Sequence, residues 1–242
     1  MHNTEFGFTD DLFEQANKCL KKRSRPDRLL DRYPNFPPLF GEQGAPEGQL
    51  ECVESEIGHV LPSDLRWLVA HTYDPDGYLF PWVHDLSEIS RFQNWVFEGI
   101  AWHIQESLDW LSAWGDRPDS AQDRLDIFTE QFELWPKLLS VLGHRAIPIS
   151  PIESGNPVFS IMGTDIIYYG NSLANWIDIE FIAGPCPYNK LTRDGIRHIP
   201  IWSDFSEQTP GFLASEGLTS EDEEMVKTMI TKSLRKSPNT EN

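Results

Sequence analysis

Cysteine is scarce in this 242-residue chain: Cys19, Cys52 and Cys186 are dispersed, odd in number and form no Cys-x-x-Cys pair. That excludes a disulfide framework and a cysteine-rich zinc site, and it predicts reduced, mostly buried thiols. Long apolar runs are missing too. Nothing approaches the roughly 18 to 20 residues that cross a bilayer as a helix. The first residues, MHNTEFGFTDD, have neither a basic start followed by an apolar stretch nor a small-residue cleavage site. No membrane span or secretory signal is expected, and the expected compartment is the cytosol.

Positive charge is also in short supply. Twenty Lys and Arg face 38 Asp and Glu, a net charge of −18. The imbalance is concentrated: residues 1–41 carry +1, residues 42–142 carry −14 and residues 143–242 carry −5. Such a field repels phosphate backbones and anionic lipid, which argues against nucleic acid and membrane surfaces, and it speeds encounter with a basic protein. The motifs of common catalytic sites are absent as well: no GxxxxGK[ST], HExxH, GxSxG or GxGxxG occurs. The seven histidines, His2, His59, His71, His84, His103, His144 and His198, never form a close pair with a third ligand. Paired carboxylates such as Glu51 with Glu54 or Asp178 with Glu180 are what chance gives among 38 acids. No enzyme activity, metal or cofactor is expected.

What the chain does have is apolar and aromatic substance, 39% hydrophobic with nine Trp and fourteen Phe, enough to bury a core. TDDLFEQANKCLKK places Leu12, Phe13, Ala16, Cys19 and Leu20 on one helical stripe, acidic at its start and basic at its end. RSRPDRLLDRYPNFPPLFGEQGAPEG follows as an irregular connection. A helix is predicted over Glu47–Ile57, stopped by Gly58, and another from Pro62 through LPSDLRWLVAH. DPDG (74–77) is turn chemistry leading into a strand-like YLFPWV; Asp74 and Asp76 could open a calcium loop, but the ligand spacing fails at FPW. GIAWHIQE (99–106) alternates as a strand does. Leu125, Phe128, Phe132, Trp135, Leu139 and Leu142 are spaced as a helix that Pro136 breaks or kinks.

RAIPI, PVFSIM and DIIYYG give three strands, the last two joined by Gly163 and Thr164 in a type II′ turn. The predicted pairs are Met162 with Asp165, Ile161 with Ile166, Ser160 with Ile167 and Phe159 with Tyr168. One face then holds Phe159, Ile161, Ile166 and Tyr168; the other holds Val158, Ser160, Met162, Asp165, Ile167 and Tyr169. Asp165, directly after the turn, is expected to anchor it through local backbone N–H groups. Asn171 or Ser172 caps a short helix with Leu173, Trp176, Ile177 and Phe181 inward. IPIW (199–202) is a strand candidate, and TSEDEEMVKTMITKSLRK an amphipathic last helix.

The order of IGHVLPSDLRWL (57–68), Gly77, WLSAWGDRP (110–118) and HRAIPISPIESGNPVFSIMGTDIIYYGNSLANWIDIEF (144–181) resembles the SUKH superfamily, which holds fungal Smi/Knr-type regulators and many bacterial immunity proteins. The resemblance spans about residues 46–183, with Gly58, Leu61, Pro62, Gly77, Pro157, Gly170 and Phe181 as motif positions. It departs at HTYDPDG, which keeps only the glycine of the family's Asn-Gly. It implies an α+β fold: a single SUKH-like domain with a mostly antiparallel sheet flanked by helices. An N-terminal helix and connection (1–45) and a C-terminal extension (184–242) ending in the amphipathic helix complete the expected plan.

The family is used as a binding scaffold, so the resemblance implies a non-enzymatic module that neutralises a toxin, of nuclease type for example. The −18 charge accords with a basic toxin domain as partner. A regulator of Smi/Knr type contacting several proteins through the basic strip Lys21–Arg28 is the alternative, with an uncharacterised hydrolase ranked below both. The candidate contact residues are Asp74, Asp76, Trp114, Asp116, Ser160, Asp165 and Tyr169. A homodimer through an exposed aromatic surface is compatible with the composition.

Overall fold

The computed structural model describes residues 4–22, 39–41, 43–75, 77–106, 109–183, 191 and 195–208. Residues 207–242 form one compact unit, and residues 1–206 form the other, which holds the sheet and, apart from residues 207 and 208, all the described helices. Its helices are α1 (Asp10–Lys22), α2 (Glu47–Ile57), α3 (Ser63–Ala70), α4 (Pro81–His84), α5 (Ser87–Glu106), α6 (Ala121–Phe132), α7 (Leu173–Ile177) and α8 (Trp202–Gln208). Its strands are β1 (Leu138–Leu142), β2 (Arg145–Pro148), β3 (Val158–Met162) and β4 (Asp165–Gly170), in the order β1-β2-β3-β4 with every pair antiparallel. The fold is therefore α+β.

Strand alternation sorts the sheet's side chains into two cores, because successive residues point to opposite faces. Leu139, Val141, Ile147, Val158 and Tyr169 join α1, α2, α3, α4 and α7 on one side. Leu138, Ala146, Phe159, Ile161 and Ile166 join α5, α6 and α8 on the other. Each fully buried Leu, Ile or Phe contributes about 1.5–3 kcal/mol, so both faces are driven closed by burial. The α1 stripe is part of the first core through Phe13 and Ala16. Asn17 ties the returning chain to it, accepting from Leu39 and Phe40 N–H at 3.0 and 3.2 Å and donating to Phe40 O at 2.9 Å.

Side chains engage backbone groups along both edges of the sheet, which blunts the open ladder that invites a further strand. Along β1, Trp82 Nε1 donates to Ser140 O at 2.7 Å and the Gln93 amide donates to Leu138 O. Along β4, the Tyr168 N–H donates to Ser206 Oγ at 3.0 Å.

Several expectations are met residue by residue. The helix over Glu47–Ile57 ends at Gly58 in the left-handed region (φ 67°), and Ser172 caps α7 by accepting from Asn175 N–H. The four hairpin pairs occur as expected, with Gly163 at φ 62°. Others are corrected. Residues 99–106 belong to the 20-residue helix α5 and are not a strand, because Val96, Ile100 and Ile104 recur every four residues and bury one face. In YLFPWV the segment Pro81–His84 is a helical turn opened by its proline. The helix through Phe128 stops at Phe132, and Leu139 and Leu142 lie in β1: past Pro136 the run LLSVL buries both faces as a strand. IPIW is no strand; Trp202 starts α8. Cys52 is exposed and Cys19 half-buried, so these two thiols are less covered than expected. The last amphipathic helix and all but the first two residues of the basic strip fall outside the described residues.

Candidate interaction surface

The longest helix, α5, positions the most distinctive surface. Asp85 starts it, its carboxylate accepting from the Ser87 N–H at 3.0 Å and Oγ at 2.7 Å, which holds the Asp85 pKa below the usual carboxylate range. Arg124 finishes it. That buried guanidinium donates to Ile104 O and Gln105 O at 3.1 and 2.6 Å, and to Pro118 O and Asp119 O at 2.9 and 2.8 Å. A cation on the last carbonyls satisfies orphan acceptors and offsets the helix dipole.

With its inner face fixed, the outer face of α5 presents Arg91, Trp95, Glu98, Trp102 and Glu106, all exposed. Trp102 is 61% and Trp95 41% exposed, although tryptophan is among the residues that gain most from burial. Beside this stripe lies the β3–β4 turn. Gly163 rests on Gly99, where a methyl group on the helix would stand 3.5 Å from the turn's Cα, and against the His103 ring. Glycine at both places allows two backbones to meet. Thr164 fastens the contact: its hydroxyl donates to Asp109 Oδ2 at 2.5 Å and lies 3.0 Å from His103 Nδ1. The hydroxyl proton is spent on the carboxylate, so His103 donates from Nδ1. Thr164 and Asp109 both lie toward His103 Nδ1, so the three side chains latch the turn to the helix. Met162 (53% exposed) and the exposed Asp165 flank the latched tip, on the hairpin face that alternation assigns to Val158 and Tyr169.

The residues singled out from sequence separate into groups. Asp74 is a turn anchor: its carboxylate accepts from Tyr78, Leu79 and Phe80 N–H at 2.8, 3.0 and 3.0 Å. Asp76 lies outside the described residues. Trp114 packs into the second core against Trp110, Phe128, Trp135 and Phe205, while Asp116 is exposed. Ser160 and Tyr169 are both buried and converge on Arg145, which lies 3.7 Å over the Tyr169 ring, donates to Ser160 Oγ at 2.6 Å and stands 3.6 Å from Glu180. Burial first, then Glu180, pushes the Tyr169 hydroxyl's pKa up. This cluster is a clamp across β2, β3, β4 and the π-helical turn Asp178–Ile182. Asp165 takes no hydrogen bond among the described residues, so Thr164 does the anchoring expected of it. The motif positions are structural: Leu61, Pro157, Gly170 and Phe181 are buried, Pro62 precedes α3, and Gly58 and Gly77 follow turns at positive φ.

Two hollows lie among the described residues. One of about 140 Å³ lies beside Asp74. The other, about 480 Å³, runs between α5, the end of α6 and β1. Much of the second's polar lining is turned to the fold: Ser90 Oγ donates to Ser87 O, Thr129 Oγ1 to Leu125 O, and the Gln93 amide to Leu138 O. Among the described residues no three His, Cys, Asp or Glu side chains are grouped to hold a metal ion, and no helix is long and apolar enough to cross a membrane. Sequence reasoning missed Trp95 and Trp102; helical spacing was the signal that could have found them. No family model, no curated protein and no solved structure matches this chain.

Proposed function

We propose that this protein is a binding module of the SUKH kind that captures a basic protein, in the manner of an immunity protein holding its toxin, through the outer face of α5 and the adjoining hairpin tip. The observation that carries this reading is the pair of exposed tryptophans, Trp95 and Trp102, on one face of a helix whose other face is locked into the core. Such a surface has what an interface needs: aromatic anchors on a rigid support. Charge supplies the partner's sign. Of the cations between residues 42 and 142, Arg66 is paired with Glu47 and Glu54, Arg91 with Glu88, and Arg124 is buried on carbonyls. Little positive charge is left to offset the acids of that stretch, and the resulting field favours association with a cationic surface.

The test is affinity capture by the tagged protein from an extract of its own cells at low and high salt, with mass spectrometry of what is retained. One basic protein, recovered in stoichiometric amount and lost at high salt, is the expected result. Many substoichiometric proteins would favour the multi-partner regulator instead, and a salt-insensitive acidic partner would overturn the reading.

A further inference from the structure

We infer that the outer face of α5 holds a receptor for a single guanidinium side chain, with the Trp102 indole as its platform and the carboxylates of Glu98 and Glu106 as its counter-charges. This deepens the reading of α5 as the docking face and rests on it. Glu98 precedes Trp102 by four residues and Glu106 follows it by four, so the three side chains share one stripe, neighbours at about 5–6 Å between Cβ atoms. The indole is open to solvent, and the His103 ring meets it nearly perpendicular at 4.9 Å. Neither Glu98 nor Glu106 makes an ion pair or hydrogen bond among the described residues. The one cation on the stripe, Arg91, is engaged by Glu88 and lies 11 residues before Trp102, three turns away.

An aromatic face between two unmatched carboxylates is balanced by a cation, and the ring quadrupole adds to the attraction. Arginine fits better than lysine because its guanidinium is planar, stacks on an indole, sheds water more readily and can fork to a carboxylate.

The full chain would be titrated with acetyl-Gly-Arg-Gly-amide while the Trp102 indole N–H is followed by NMR, its signal assigned by its loss in Trp102→Ala. The same peptide with citrulline keeps the shape and removes the charge. The expected result is a shift of the Trp102 signal with arginine, a smaller one with lysine and none with citrulline. Glu98→Gln and Glu106→Gln should each weaken the arginine peptide by up to about fivefold. Equal shifts with citrulline, unchanged affinity in the double Gln variant, or no shift at all would overturn the receptor. If any of these occurs while the captured partner still depends on Trp102, the docking face stands and only its guanidinium chemistry fails.

Discussion

Replacing Gly163 by alanine should loosen the contact between the hairpin and α5, and the structure sets how much. Gly163 sits at φ 62°, where an L residue is strained by about 1–2 kcal/mol. The added methyl would also stand 2.5 Å from His103 Cδ2 and 2.6 Å from Nε2, well inside ordinary contact. The ring cannot swing aside freely, since its Nδ1 is held by Thr164, so the clash should cost a further 1–3 kcal/mol or about that. Gly163→Ala in the native background should therefore lose about 2–5 kcal/mol. In a His103→Ala background the strain remains and the clash disappears, so the same substitution should cost about 1–2 kcal/mol. The difference, a coupling of about 1–3 kcal/mol, is read from urea unfolding of the four proteins in a double-mutant cycle. Equal cost in both backgrounds would refute the tip-to-helix contact.

Four other expectations follow from the same geometry. Asp74→Ala strips an acceptor from three N–H groups and should lower stability by about 2–4 kcal/mol in a denaturant melt, without altering partner affinity once folded. Arg145→Ala takes the cation from the mostly buried Glu180 and should cost about 3–5 kcal/mol, while replacing Arg145 and Glu180 together by Met should recover most of it. His144 has its pKa held below 6.5 by burial and then by Arg145, against the pull of Glu180, so the unfolded chain takes up the proton first as pH falls. Stability should thus decline from pH 7 toward 5, with a shallower slope in His144→Gln. Asp165→Asn should leave stability within about 0.5 kcal/mol and slow association with a basic partner, measured by stopped flow.

The hairpin was legible because its register is a local matter: a glycine turn and alternation fix which residues pair and which face they take. Glu47–Ile57 with its glycine stop was legible for a similar reason. What misled was window length. Over eight residues GIAWHIQE alternates, but from Ser87 onward Val96, Ile100 and Ile104 keep helical time, and only the longer view puts Trp95 and Trp102 together on the outer face. Leu139 and Leu142 matched a helical spacing by coincidence with a strand buried on both sides. Trp114 looked like a contact residue in a turn-rich stretch, yet besides its neighbour Trp110 it packs against Phe128, Trp135 and Phe205 from beyond that stretch, which no local pattern reveals. Asp165 and Thr164 exchanged roles for the same reason: the partners that hold the turn, His103 and Asp109, lie some 55 to 61 residues away.

Docking of a basic partner on the outer face of α5 is the proposal that most needs a test. Its most direct measurement is the dissociation constant of the captured partner for the native protein and for Trp102→Ala at one salt concentration, with unfolding free energies of both. An anchor at the centre of an interface predicts a loss of about 2 kcal/mol or more, some 30-fold in Kd, at unchanged stability. Equal affinity for the two proteins would contradict the account and move the interface elsewhere.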